Sequence, residues 1–480
     1  MPVMTASTTT NGTIVAQATA QGSGAIAIIR ISGPMAKKLL GLLFTPSQAT
    51  FSDFVPWRVY HGIVHDLNGT KIDDVLCFYM PGPRTYTGED CAEIHCHGGQ
   101  LIVSAIIEAL LEAGACPARR GEFTHRAFLN GRMDLSQAEA VAEMIAAPSR
   151  TALGQSLRRL NGELGRRVGK VREKLDWVRM NMSLAVDFPE DEVEILDRKD
   201  FLAHVQSAGR SLQDLLRGVA RAKVYANGAR VVLAGSVNAG KSSLMNALLG
   251  KNRALVTDVP GTTRDFLEEG LLLGDLPIRL VDTAGVRESS DKVESLGIER
   301  SRQQIEEADL LVIVVDGAAL GSSGTGELSC PDEVAARLLQ NASPSTLVVW
   351  NKADICLPEL SEKQTRPEWC VSAHGEVDFV CVSALTGFNL DLACDKMAQL
   401  ILGNLPGDEY GLAPNDRQAH ALHYACRELD ALARDIEAGQ LYDLLSVHLD
   451  MCCSFLDEVI GVGTAQDVLN HVFESFCIGK

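Results

Sequence analysis

The sequence predicts a multidomain chain: an α+β N-terminal domain, a discontinuous α-helical domain, and an α/β domain inserted into the helical one. Three observations predict it. Residues 1–132 mix strand and helix patterns. Residues 228–402 alternate strand with helix, as a parallel sheet with crossover helices requires. Helical periodicity lies on both sides of that stretch, at 133–227 and 403–480, so the two flanks form one helical domain in the simplest packing. A chain of 480 residues has room for about three domains.

Within the first domain, GAIAIIRIS (24–32) reads as a short buried strand. VYHGIVHD and KIDDVLCFYM read as two strands around the turn signal Asn68-Gly69. CAEIHCH (91–97) is a further strand that runs into an apolar helix from about Leu101 to Ala113. From Asp134 the spacing turns helical. DLSQAEAVAEMIAA carries Ser136 as an expected N-cap with Glu139 three residues on, a capping box. Helical stretches continue to about Lys223, interrupted by the acidic DFPEDEVE at 187–194. After Leu405-Pro406, three more helical stretches follow. The segments 317–327 and 355–377 read as loop insertions without an assigned function.

Composition narrows the function. A net charge of −18 argues against a general nucleic-acid coat, which needs a basic surface to displace counterions. Hydrophobic residues make up 46% of the chain, enough for packed cores. The thirteen cysteines are scattered without a C-x-x-C, which suits reduced thiols. The N-terminal MPVMTASTTTNGTIVAQ has neither a basic nor an apolar leader region, and no apolar run reaches the roughly 18 residues of a membrane span. A cytoplasmic protein without a membrane association is expected.

The α/β stretch carries the chemistry. ARVVLAGSVNAGKSSL contains G-x-x-x-x-G-K-S from Gly235 to Ser242, between a strand and a helix. Backbone N–H groups of Asn238, Ala239 and Gly240 can wrap phosphates at the helix N-terminus. Lys241 reaches the β and γ phosphates, Ser242 is placed for Mg²⁺, and Ser243 follows. In GTTRD, Thr263 is the expected switch threonine on Mg²⁺ and the γ-phosphate, preceded by Thr257, Asp258, Val259, Pro260, Gly261 and Thr262. Asp282, Thr283, Ala284 and Gly285 end a strand, as a metal-side aspartate and a γ-phosphate-contacting glycine require. Asn351, Lys352 and Asp354 form an N-K-x-D signature. The Asp354 carboxylate can accept two guanine N–H groups, and adenine would leave it unpaired. Ser383, Ala384 and Leu385 supply backbone contact to the base. Five elements in this order imply a GTP-binding, Ras-like G domain.

One expected residue is missing. Val286 stands where such switches carry a water-orienting glutamine. Glu288, Asp291 and Glu294 are the downstream carboxylates, and Asn238 is a plausible ligand for a compensating monovalent cation.

The chain resembles, from end to end, the MnmE (TrmE) family of tRNA-modifying GTPases. The stretches that carry the resemblance are TIVAQAT, RISG, YTGED, HGG, GEFTHRAFLNGRMDLSQAEAVAEMI, DFPED, NAGKSSLMNAL, VTDVPGTTRD, DTAGVRESSDKVESLGIERS and the terminal FCIGK. The resemblance implies a tetrahydrofolate-binding and dimerisation domain at 1–132. It implies helical-domain segments at 133–227 and 403–480, and a TrmE-type G domain at 228–402. It implies Glu294 as the catalytic residue, acting through a bridging water. Potassium ligands would be Asn238, Thr257, Val259 and Thr262, and Mg²⁺ would sit on Ser242 and Thr263. Folate contacts, for a 5-formyl- or methylene-tetrahydrofolate, would be Arg30, Glu93, Arg132 and Lys480. Cys477 in FCIGK is a candidate catalytic thiol, with a buried inert thiol as the competing reading. One departure is Ser236-Val237, where the family commonly has Arg-Pro.

The implied function is a homodimeric GTPase. It acts with an FAD-dependent MnmG (GidA)-like partner, in a heterotetramer or larger complex. The pair adds aminomethyl or carboxymethylaminomethyl groups at C5 of the wobble uridine of certain tRNAs. FAD belongs to the partner only. Two alternatives compete: a ribosome-assembly GTPase of the Era or Der type, and a folate enzyme resembling aminomethyltransferases. His95 and His97 read as structural. Residues 158–179, with eight Lys or Arg against three acids, are the best local candidate for phosphate contact, or else a solvated helix face.

Overall fold

The computed structural model describes residues 12–187, 198–252, 268–282, 303–318, 333–340, 345–355, 369–372, 375–403, 405–406 and 411–480. They fall into two compact units. One comprises Met1–Ala142, Arg159–His204 and Ala431–Lys480, and the other Glu143–Arg158 and Val205–Asp430.

The first unit is built on a seven-stranded sheet. Its strands are β1 (Ile14–Gln17), β2 (Gly24–Ser32), β3 (Phe44–Pro46), β4 (Tyr60–His65), β5 (Lys71–Met80), β6 (Cys91–Gly98) and β7 (Cys116–Pro117), in the order β3-β4-β5-β6-β2-β1-β7. The turn at Asn68-Gly69 forms as the sequence predicts. Gly69 takes φ +83, and Asp66 Oδ1 accepts from the amides of Asn68 and Thr70. Alternate residues of the strands, Ala27, Ile29 and Ile31 with Ala92 and Ile94, enter one core with helices α1 (Ala36–Leu43) and α2 (Gln100–Glu112). The intervening residues, Arg30 and Glu93 among them, therefore lie on the opposite face.

Helices α3 (Glu122–Leu129) and α4 (Leu135–Ala146) follow. The cap of α4 differs from the expectation. Asp134 Oδ1 accepts from the Gln137 amide at 2.8 Å, and Gln137 Oε1 accepts from the Asp134 amide at 2.9 Å. The reciprocal box is therefore Asp134/Gln137, not Ser136/Glu139. Ser136 is fully buried and donates its hydroxyl to Asp134. An aspartate two residues upstream satisfies the first-turn amides as well as serine would, and burying Leu135 and Ala138 selects that register.

The chain continues through α5 (Arg150–Leu160), α6 (Glu163–Asp187), α7 (Arg198–Leu216) and α8 (Val219–Asn227). Beyond the α/β region come α12 (Asp416–Glu437), α13 (Tyr442–Ile460) and α14 (Gln466–Glu474), with α9–α11 lying between. Buried residues of α6 recur at a 4-3-4-3-4 spacing: Leu164, Val168, Val171, Leu175, Val178 and Met182. That seam packs on Leu445, Leu449, Cys452 and Leu456 of α13, each fully buried aliphatic contributing roughly 1.5–3 kcal/mol. Arg172 pairs with Asp457 and Arg179 with Asp450, so the two helices run antiparallel. Helical segments from both sides of the inserted domain thus meet in one core.

In the second unit a six-stranded sheet has the order β15-β12-β11-β8-β10-β9. Its strands are β8 (Ala229–Ala234), β9 (Glu268–Leu273), β10 (Leu276–Asp282), β11 (Leu310–Asp316), β12 (Thr346–Asn351) and β15 (Asp378–Cys381), with a separate β13–β14 hairpin at Val371–Ser372 and Gly375–Glu376. Only β9–β10 is antiparallel. β11 and β12 are continuous apolar runs because both faces are covered. Val231, Leu233, Val312 and Val314 enter one core with α9 (Lys241–Asn252) and α11 (Leu390–Gly403). Val232, Ala234, Leu311 and Ile313 enter another with α10 (Glu333–Gln340). Ligands of such sheets bind beyond the carboxyl ends of the strands. Among the described residues no helix is long and apolar enough to cross a membrane.

Candidate functional site

The Gly-rich loop joins the end of β8 to the start of α9. Gly235 takes φ +144 with the Val314 carbonyl where a Cβ would stand, so only glycine fits. Gly240, at φ +91, likewise gives its Cβ space to the Asn351 side-chain amide. Asn238 takes φ +67, a left-handed conformation that asparagine tolerates better than most residues. Lys241 is 6% exposed, and its ammonium donates to the carbonyls of Gly235 at 2.8 Å and Ser236 at 2.7 Å. The charge is thereby held inside the curl of the loop. At Ser236-Val237, the departure from the family pattern, the Val237 side chain is 77% exposed and Ser236 contributes its carbonyl.

Strand register brings the metal-side residues together. Asp282 ends β10 opposite Leu233 of β8, which places its buried carboxylate beside the loop. Ser242 Oγ donates to Asp282 Oδ2 at 2.9 Å. A hydroxyl and a carboxylate side by side are hard oxygen donors of the kind Mg²⁺ takes, so these residues fit the ion.

The base-side residues sit at the end of β12. Asn351 is 2% exposed. Its Nδ2 donates to the Ala239 carbonyl at 3.0 Å, and its Oδ1 accepts from the Ala384 amide at 3.1 Å. Lys352, at φ +65, pairs with Asp316 at 2.6 Å. Asp354 Oδ1 accepts a 2.5 Å hydrogen bond from Ser383 Oγ, and Ser383 is fully buried. Leu385 is 85% exposed at the tip of this loop. The sequence motifs thus converge as two loops linked through one asparagine. Thr257, Asp258, Val259, Pro260, Gly261, Thr262, Thr263, Thr283, Ala284, Gly285 and Glu294 lie outside the described residues.

In the other unit, Arg30 of β2 stands opposite Glu93 of β6, with Arg30 Nε donating to Glu93 Oε1 at 2.9 Å. His95 Nε2 lies 3.2 Å from the second Glu93 oxygen. The guanidinium also lies over the rings of Tyr86 at 5.6 Å and Phe123 at 5.9 Å. Neither ring was singled out from the sequence, although Tyr86 opens YTGED. Burial, and then the neighbouring Arg30, push the Lys480 ammonium below its ordinary range, while Cys477 and Glu93 pull it back up. The terminal lysine is therefore within electrostatic reach of Arg30, Glu93 and Cys477. Gly479 (φ +92) anchors that tail against the Gln17 carbonyl. Arg132 donates from Nε to the Thr85 carbonyl at 3.1 Å, one residue from Tyr86. Cys477 is exposed, which removes the buried-thiol reading. His97 pairs with Asp73 at 2.9 Å. Among the described residues no group of three or more His, Cys, Asp or Glu could hold a metal ion.

The basic stretch 158–179 is largely neutralised. Arg167 pairs with Glu163, and Arg172 and Arg179 pair with Asp176 and with Asp457 and Asp450 of α13. These pairs fasten helix to helix and follow the solvated-face reading.

The fold and first site define a P-loop guanine-nucleotide domain of the Ras-like class, inserted in a helical domain behind an α+β domain. Residues 13–132 match the family model described as GTP-binding protein TrmE N-terminus, and residues 135–477 match that of the MnmE helical domain. The tRNA modification GTPase MnmE of Nitratidesulfovibrio vulgaris (strain DP4) is 49% identical over 472 residues, covering 98% of this chain and 99% of that protein. Proteins of the same name from Lawsonia intracellularis and Heliobacterium modesticaldum are 42% and 38% identical, each again covering 98% of this chain and 99% of the relative. The chain belongs to the MnmE family.

Proposed function

We propose that this protein is a GTPase that modifies tRNA at the wobble uridine, as the names of its relatives and its two sites together suggest. The observation that carries the nucleotide half is the Asp354 carboxylate fixed by buried Ser383, on the loop that Asn351 ties to the phosphate loop. A carboxylate held in that way selects guanine, because adenine leaves it without donors. Lys241 meets the β and γ phosphates. Ser242, Asp282 and Thr263 would hold Mg²⁺, which supplies positive charge to the phosphates when bound. Asn238, Thr257, Val259 and Thr262 would hold K⁺, which neutralises charge building up near the β–γ bridge. Glu294 orients the attacking water through a bridging water, in place of the glutamine that Val286 replaces. The products are GDP and phosphate.

The Arg30–Glu93 pair, with Arg132 and Lys480, is assigned to a tetrahydrofolate derivative. Glu93 accepts from pterin donors, and the cations meet the carboxylates of the glutamate tail. The folate one-carbon unit becomes the methylene at C5 of the uridine. FAD is carried by an MnmG-like partner, with which the cytoplasmic homodimer assembles. The domains are assigned as 1–132 for folate and dimerisation, 133–227 and 403–480 for the helical domain, and 228–402 for the G domain. The test of the nucleotide half is turnover in potassium against sodium. Hydrolysis should be fast in KCl, slow in NaCl, and lost in Glu294→Ala with GTP affinity kept. Equal turnover in both salts contradicts the cation assignment, and full activity in Glu294→Ala contradicts the glutamate's role.

A further inference from the structure

A cavity of about 720 Å³ opens in the first unit between α3 and α14, on the side of α3 opposite Phe123 and the Arg30 site. The two helices approach closely because Gly121 (φ +65) leaves room for the Phe473 carbonyl, 2.7 Å from where a Cβ would stand. The volume is within the roughly 300–1,000 Å³ of small-ligand sites.

The lining has three zones. Arg119 and Arg120 stand at the rim, both exposed, Arg119 with 70% of its side chain in solvent. Glu122 is already committed. It accepts from the Arg119 amide at 2.8 Å and pairs with buried Arg126 at 2.9 Å, and it lies 3.5 Å from Arg119 Nε. It therefore orients Arg119 without filling its donor fork. Arg120 reaches the Glu474 carbonyl at 3.5 Å, and the Glu474 carboxylate is the one other acid on the lining. Along one wall the exposed amides of Gln466 and Asn470 offer both donors and acceptors. On the floor, His125 packs on Phe473 at 4.8 Å, and its Nε2 is buried with no hydrogen-bond partner. A buried polar atom without a partner marks a place where a ligand group or a water belongs.

Cationic forks at the rim, amides along the wall and an aromatic floor suit a phosphodiester-linked nucleotide, whose phosphate takes the arginines and whose base edge takes the amides. The site also adjoins the terminal tail, since the Gly121 amide meets the Cys477 carbonyl at 3.5 Å. We propose that this cavity binds a nucleotide of the tRNA, holding its phosphate on Arg119 and Arg120 beside the tail that carries Cys477 and Lys480. The proposal rests on the tRNA reading above and specifies where the RNA docks.

The test is fluorescence anisotropy of a labelled anticodon stem-loop RNA titrated with the full-length protein between 50 and 300 mM KCl. Wild type should bind with a clear salt dependence. Arg119→Ala/Arg120→Ala should bind at least about tenfold more weakly, and its log K against log salt slope should be shallower by about 1.4, at about 0.7 per lost phosphate contact. Arg119→Lys/Arg120→Lys should keep most of the slope. Asn470→Ala should weaken binding with the slope unchanged. Circular dichroism and the thermal midpoint confirm that each variant is folded. If wild type binds and the alanine pair binds equally well with the same slope, the cavity assignment is overturned while the tRNA reading stands. If wild type binds no RNA, both fall.

Discussion

Asn351 Nδ2 donates to the carbonyl of Ala239 at 3.0 Å, across 112 residues of sequence, and the same side chain accepts from the Ala384 amide. One buried amide therefore joins the loop that meets phosphate to both loops that meet the base. Asn351→Ala leaves the Ala239 carbonyl and the Ala384 amide short of a partner, each costing about 1–3 kcal/mol where buried. GTP affinity by calorimetry should fall at least about tenfold and the G-domain melting point with it. Unchanged affinity would show that the tie is dispensable.

Asp354 decides the base. Asp354→Asn exchanges an acceptor for a donor, so GTP binding should fall by about 10²–10⁴, on the scale of discrimination by unpaired buried groups. Xanthosine triphosphate, with a carbonyl in place of the guanine amine, should then bind better than GTP. Retained preference for GTP in a competition assay would contradict the role given to this carboxylate.

Asp275, at the tip of the β9–β10 hairpin, accepts from the amides of Arg150 and Thr151 at 2.8 Å each and so caps α5 from outside its own helix. Ser149 Oγ takes a third amide, that of Ala152. Asp275→Ala should cost about 1–2 kcal/mol, the usual range for a lost cap, read by urea unfolding. Asp275→Asn should cost less, because an amide oxygen still caps.

The thiols separate by burial. Burial pushes Cys77 up to about 12, and Cys96, Cys426 and Cys453 to about 11. At pH 7.5 these are protonated and enclosed, whereas Cys116 and Cys477 are exposed. Iodoacetamide labelling of the native protein, mapped by mass spectrometry, should mark Cys116 and Cys477 first among the described cysteines. Raising the pH to 9 should not bring in the other four, since their thiols titrate higher still. Early labelling of Cys77 would show that the N-terminal core opens.

Much of this was legible because it is local. Strand alternation, the Asn68-Gly69 turn and the G-x-x-x-x-G-K-S loop are each written within a few residues, and helical flanks around an α/β stretch leave few topologies. The cap of α4 was misplaced because Asp134 and Ser136 are both good caps, and only burial of Leu135 and Ala138 chooses between them. The basic stretch at 158–179 looked free because its partners, Asp450 and Asp457, lie more than 250 residues away. The rings under Arg30 escaped notice because Tyr86 and Phe123 carry no chemistry of their own. They matter only once β2 and α3 place them against a guanidinium.

The central claim is modification of the wobble uridine, and its most direct test is mass spectrometry of nucleosides from tRNA of cells with and without this gene. The account predicts that C5-aminomethyl and carboxymethylaminomethyl uridines disappear on deletion. They should return with the wild-type gene but not with Glu294→Ala. Unchanged wobble nucleosides in the deletion strain would contradict it.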